Sequence, residues 1–131
     1  MTAQEERNNN ELIAKFMEFK EVVHDGEEKE YYVPHKFGRY DCDGNWTDTA
    51  TPREMEFDTS WNWVMLVVEK IESMGHATNI EYNSKILGHV CKIYVKEKHR
   101  VFGLHTHSKI EAMFAAIVQF INWYNKQQNG N

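Results

Sequence analysis

Apolar residues recur at helical spacing in three places along the chain and alternate with polar ones in three others. After a polar lead-in, Leu12, Phe16 and Phe19, with Ile13 alongside, predict a short amphipathic helix capped by Asn8, Asn9 or Asn10. A stronger stripe is formed by Trp61, Val64, Met65, Val68, Ile71 and Met74, broadened by Leu66 and Val67. Asp58, Thr59 or Ser60 is placed to cap this helix and Gly75 to stop it. Alternation then predicts strands over 78–82, 88–96 and 100–104, separated by Asn83-Ser84 and by the charged residues 96–99. A last helix opens at Ser108-Lys-Ile-Glu111, where the hydroxyl and the carboxylate can each satisfy the other's backbone amide. Its core stripe is Ile110, Phe114, Ile117, Val118 and Ile121.

Between the first two helices the pattern weakens. Tyr31-Tyr-Val reads as a brief strand ended by Pro34, and residues 35–57 carry little periodicity. Asp43-Gly44 is a type I′ hairpin signal, although Pro52 and the Thr and Asp content make the flanks resemble a long surface loop. Helix, strands and helix in this order predict an α+β fold, an antiparallel sheet of three to five strands packed with two long helices in an α-β-α sandwich-like arrangement. The expectation is one domain over 1–131, with 1–7 and 126–131 as flexible tails.

Composition narrows this picture. At 131 residues the chain can bury one sizeable core without disulfides or a structural metal. Twenty acidic against fifteen basic residues, a net charge of −5, argue against a phosphate-backbone binder, so nucleic acid is not an expected partner. The nearest thing to a basic patch is Lys92, Lys96, Lys98 and Arg100, which Glu97 interrupts. Cys42 and Cys91 have no metal or redox spacing, and Cys91 shares a strand face with Ile93 and Val95, so a buried free thiol is expected. No leader-like or membrane-length apolar run is present, and a cytoplasmic location is the expectation.

Two stretches carry a resemblance, Phe57-Asp-Thr-Ser-Trp-Asn-Trp-Val-Met-Leu-Val-Val-Glu-Lys-Ile-Glu72 and Ser108-Lys-Ile-Glu-Ala-Met-Phe-Ala-Ala-Ile-Val-Gln-Phe-Ile-Asn-Trp-Tyr-Asn125. They resemble the small proteins of phages and prophages of Bacteroides-type bacteria and, more distantly, the phage ABA sandwich domain. The resemblance implies an α-β-α sandwich and a phage or prophage origin. It implies no chemistry and supplies no catalytic residues.

Candidate chemistry is sparse. His105-Thr-His107 places two imidazoles at i and i+2 on an extended segment, where they can share a metal, with His99 as a third ligand. The favoured reading is two exposed histidines in a loop entering a capped helix, with no metal; the metal pair carries the alternative of a metal-assisted hydrolase. Asp41-x-Asp43-Gly44-Asn45 imitates a calcium loop, but its Gly comes early and no twelfth-position Glu follows, so a turn is expected. No Gly-rich phosphate loop or Gly-x-Ser-x-Gly elbow occurs.

The aromatics point elsewhere. Trp63 lies roughly 200° around its helix from Trp61, so with Trp61 in the core stripe the two cannot share a face and one of them is expected to be partly exposed. Trp63 either packs against residues 35–57 or another subunit, the favoured reading, or faces outward. There it would stand beside the amides of the first turn as a platform for an anionic or aromatic ligand. The expected ligand-binding set is Trp63, Ser60, Trp46, Arg39 and Arg53, with Lys92 and Arg100 as further phosphate candidates. The leading expectation is a non-enzymatic phage or prophage accessory protein, without cofactor. It would bind a host protein or a small, nucleotide-type ligand, in counter-defence, and form a homo-oligomer. A structural or assembly role is a third reading.

Overall fold

The structure, a computed structural model, describes residues 1–23, 26, 28–95, 99–105 and 107–129, with backbone only for 99–102. It is α+β, with three helices and antiparallel sheets of two, two and three strands. The described residues fall into two compact units, Met1–Met55 and Glu56–Asn131.

In the first unit, helix α1 spans Ala3–Phe16 and so begins well before Glu11. Thr2 is its cap: the Thr2 side chain accepts from the Glu5 amide while the Glu5 carboxylate accepts from the Thr2 amide, a capping box that makes residues 3–7 helical rather than a tail. Asn10 is therefore no cap. It is fully buried in mid-helix, and its Nδ2 donates to the carbonyls of Pro52 (2.9 Å) and Met55 (3.0 Å). The helix ends with Glu18 at φ +63° and the Phe19 amide reaching back to the Ala14 carbonyl, which leaves Phe19 beyond the helix.

The rest of this unit is built from very short strands. Tyr31–Tyr32 (β1) pairs with Thr49–Ala50 (β4), and Arg39–Tyr40 (β2) pairs with Trp46–Thr47 (β3). Two 3₁₀ turns, His35–Phe37 and Pro52–Glu54, separate them from the flanking chain. The stretch expected as a long loop is thus a small hairpin. Its turn is not type I′, since Asp43 has no positive φ and only Gly44 (φ +83°) is left-handed.

The second unit matches the pattern closely. Helix α2 is Trp61–Ser73, followed by β5 (Ala77–Asn83), β6 (Gly88–Val95), β7 (His99–His105) and helix α3 (Lys109–Asn129). The strands form a meander in the order β5-β6-β7, in continuous register from Ala77↔Tyr94 to Asn83↔Gly88 and from His89↔His105 to Val95↔His99. Cys91, Ile93 and Val95 point into the core, where α3 lies on β6 and β7 and α2 lies against β5 and α3. Gly103 permits that approach: a Cβ there would stand 2.1 Å from the Ala112 carbonyl oxygen and 2.7 Å from the Ala116 nitrogen.

The C-terminal end of α2 has a physical cause. Gly75, at φ +93°, donates to Glu72 and is followed by His76 donating to Ile71, which satisfies the last carbonyls. Helix α3 continues through Asn129, so residues 126–129, expected as a frayed tail, are helical. Among the described residues no helix is long and apolar enough to cross a membrane.

Candidate functional site

The phase of α2 decides the fate of the first candidate. Trp63 is buried (6% exposed), together with Val64, Val67, Val68 and Ile71, while Trp61 (44%) and Met65 (41%) face outward. The expected roles of the two tryptophans are therefore exchanged. Phe57, ahead of the helix, meets the Trp63 ring edge-on at 5.0 Å and 81°, and this contact pins Trp63 inward. Ser60 does sit at the N-cap position but makes no capping hydrogen bond through its side chain. With Trp63 in the core, the exposed indole at this helix start is that of Trp61.

Trp46, the other aromatic of the expected set, stays on the surface, 39% exposed. It stands on β3 directly opposite Tyr40 of β2, itself 69% exposed. Their rings meet at 5.0 Å and 82°, and His35 lies against the indole at 5.9 Å and 59°. The corner is held by polar contacts. The indole N–H donates to the His35 carbonyl (3.0 Å), and His35 Nδ1 lies 2.7 Å from Asp48 Oδ1. Gly38 allows this closeness, because a Cβ there would reach 2.0 Å from the Thr47 carbonyl oxygen and 2.9 Å from Trp46 Nε1.

The turn that joins the two strands is self-contained. Asp41 Oδ1 accepts from the amides of Asp43 and Asn45, both at 2.9 Å, so the calcium-like spacing is used to close a turn. The result is an exposed aromatic corner tied down by hydrogen bonds on its Trp46 side. Tyr40 and the His35–Asp48 pair lie outside the set expected from the sequence, yet the signal is present there: a turn over residues 41–45 makes Tyr40 and Trp46 cross-strand partners.

The basic candidates are already neutralised. Arg39 pairs with Glu30 (3.4 Å) and Glu54 (3.0 Å), Arg53 with Glu28 (3.2 Å), and Lys92 with Glu81 (3.3 Å). A phosphate would have to displace these carboxylates, so the three do not form a prepared anion site. The side chain of Arg100, and Lys96 and Lys98 altogether, lie outside the described residues.

His105 has a different task from the one its spacing suggested. Its Nδ1 accepts the amides of His107 (3.2 Å) and Ser108 (3.0 Å), which leaves the proton on Nε2, and Nε2 donates to the Glu111 carboxylate. Ser108 Oγ accepts from the Glu111 amide at 3.2 Å. The imidazole thus replaces the Glu carboxylate in the expected capping box, and both its nitrogens are engaged in starting α3. The His107 ring is 6.3 Å away, centroid to centroid. The side chain of His99 lies outside the described residues.

Neither cysteine offers an activated nucleophile. Cys91 is buried with its Sγ 3.2 Å from Met113 Sδ, and burial pushes its thiol up to about 12. Cys42 is an exposed free thiol on the hairpin turn. The contact with Asp48 orients the His35 imidazole. Comparison with protein-family models, with curated proteins and with solved structures finds no match to the chain.

Proposed function

We propose that this is a non-enzymatic accessory protein of phage or prophage origin that works by binding, with the Tyr40–Trp46 corner of the β2–β3 hairpin as its contact surface. The observation that carries this reading is that two large aromatic rings are solvent-exposed yet fixed in place by ring contacts and by the indole–carbonyl hydrogen bond. Fixed, exposed aromatics lose little further freedom on binding and supply much of the contact energy at protein interfaces.

A host protein suits this surface better than a small ligand. Small-molecule pockets begin at about 300 Å³. Among the described residues, two concavities along α1, about 220 Å³ beside Arg7 and Arg53 and about 200 Å³ beside Arg7, Glu11 and Lys29, fall short of that. Their charges are also spent on one another, as in the Arg53–Glu28 pair. Counter-defence is the biological setting that this reading suggests.

The test is capture of host proteins and metabolites on immobilised wild type, Trp46→Ala and Trp61→Ala, with each captured species then titrated singly by calorimetry. The expected result is a partner bound equally by wild type and Trp61→Ala and at least about tenfold more weakly by Trp46→Ala. Equal binding of every captured species to all three would overturn the assignment of the surface.

A further inference from the structure

Strand β5 ends the three-stranded sheet on one side, and among the described residues no strand pairs with its outer edge. Seven residues, Ala77-Thr-Asn-Ile-Glu-Tyr-Asn83, therefore present a row of backbone donors and acceptors. Edge strands are ordinarily blunted by proline, lysine, a bulge or a cover. This one has no proline, lysine or glycine, and its register against β6 is unbroken. Ala77, Asn79, Glu81 and Tyr82 are exposed, and Glu81, the strand's one charge, is neutralised by Lys92.

We propose that β5 is a homodimerisation edge, pairing antiparallel with β5 of a second copy about a two-fold axis through Ile80 to give one six-stranded sheet. The occupant follows from the strand's complementarity to itself. In that register Ile80 meets Ile80, Thr78 meets Tyr82, Ala77 meets Asn83, and Asn79 meets Glu81, so no two like charges oppose each other. Side chains alternate, which puts Asn79 and Glu81 together on the exposed face of the sheet and Ile80 and Tyr82 on the helix-bearing face. The inference is independent of the hairpin surface, because it rests on backbone pairing in the second unit.

The experiment measures mass and dissociation constant by sedimentation for the wild type, Asn79→Glu, and the double variant Asn79→Glu with Glu81→Lys. Asn79→Glu sets two pairs of carboxylates against each other across the axis while lying opposite Lys92 within its own sheet, so the fold is preserved. The wild type is expected to be a dimer and Asn79→Glu to weaken it about tenfold or more. The double variant is expected to restore it, because each introduced carboxylate then faces an introduced ammonium group across the axis. A monomeric wild type, a dimer indifferent to Asn79→Glu, or a double variant that stays weakened would each overturn the proposal.

Discussion

Each unit contains one tryptophan in an edge-to-face pair of nearly identical geometry: Tyr40–Trp46 at 5.0 Å and 82°, Phe57–Trp63 at 5.0 Å and 81°. Trp63 is 6% exposed and Trp46 39%. The ring contact is the same, so what differs is the area removed from water, and that area scales the hydrophobic contribution. In the second unit the pair belongs to the core; in the first it is a surface held rigid by a carbonyl and an aspartate. Similar local geometry thus serves stability in one place and presentation in the other.

The sharpest way to break this comparison is Trp63→Ala. It removes a fully packed indole beside Phe57, and a loss of about 3–5 kcal/mol is expected in urea unfolding. A loss under about 1 kcal/mol would mean that Trp63 is not a core residue and that the two pairs are equivalent.

Glycines extend the contrast to backbone effects. Gly103→Ala forces a methyl against the Ala112 carbonyl and the Ala116 nitrogen, neither of which can rotate away, and about 1–3 kcal/mol of stability should be lost. Gly44→Ala meets nothing within 4 Å and costs only its left-handed backbone at φ +83°, about 1 kcal/mol. Thermal unfolding of the two variants separates them. Equal losses would show that α3 does not press on β7 as closely as the distances require.

Alkaline titration probes burial in both units. Burial raises the Cys91 thiol from its ordinary value near 9 to about 12, and burial together with donation to Glu11 at 2.6 Å raises the Tyr31 hydroxyl. Both groups hold their protons more firmly in the folded chain than in the unfolded one. Their contribution is therefore complete below pH 9 and is lost as pH climbs from there toward 12. The Cys91 part of the slope is up to about 1.4 kcal/mol per pH unit. It should vanish in Cys91→Ala, while Tyr31→Phe should change only the region above about pH 10. An unchanged slope in Cys91→Ala would place the thiol in contact with solvent.

How much of this was legible in the sequence depends on the length of the repeating pattern. Strands β5, β6 and β7 and helix α3 announce themselves because seven or more residues alternate or recur, and tertiary packing only confirms them. Strands β1 to β4 have two residues each, too few for any period, and α1 is joined to Met55 by the buried amide of Asn10, which no periodicity reveals. Helix α2 lies between these cases. Val64, Val68 and Ile71 form the middle of the stripe, Trp61 and Met65 extend it on one side and Trp63 and Val67 on the other, and Phe57, outside the helix, selects the second side. His105 was legible as a residue and not as a role, since only the fold shows its two nitrogens bound to the Ser108 amide and the Glu111 carboxylate.

The smallest expected stability change is also the most informative about function. Trp46→Ala loses one hydrogen bond, to the His35 carbonyl, and the part of an indole that is shielded from water, so about 1 kcal/mol or less should be lost in urea unfolding. Because Trp46 pairs with Tyr40 across a two-residue ladder, its removal frees the Tyr40 ring and loosens the hairpin tip without reaching the core. The expected signature is a protein nearly as stable as the wild type, with an altered near-ultraviolet dichroism from Tyr40 and weakened binding to its partner. Trp63→Ala should do the reverse, losing stability first and binding only as a consequence of unfolding. Were Trp46→Ala to cost as much stability as Trp63→Ala, the exposed pair would be a core element after all, and its claim to be a contact surface would fail with it.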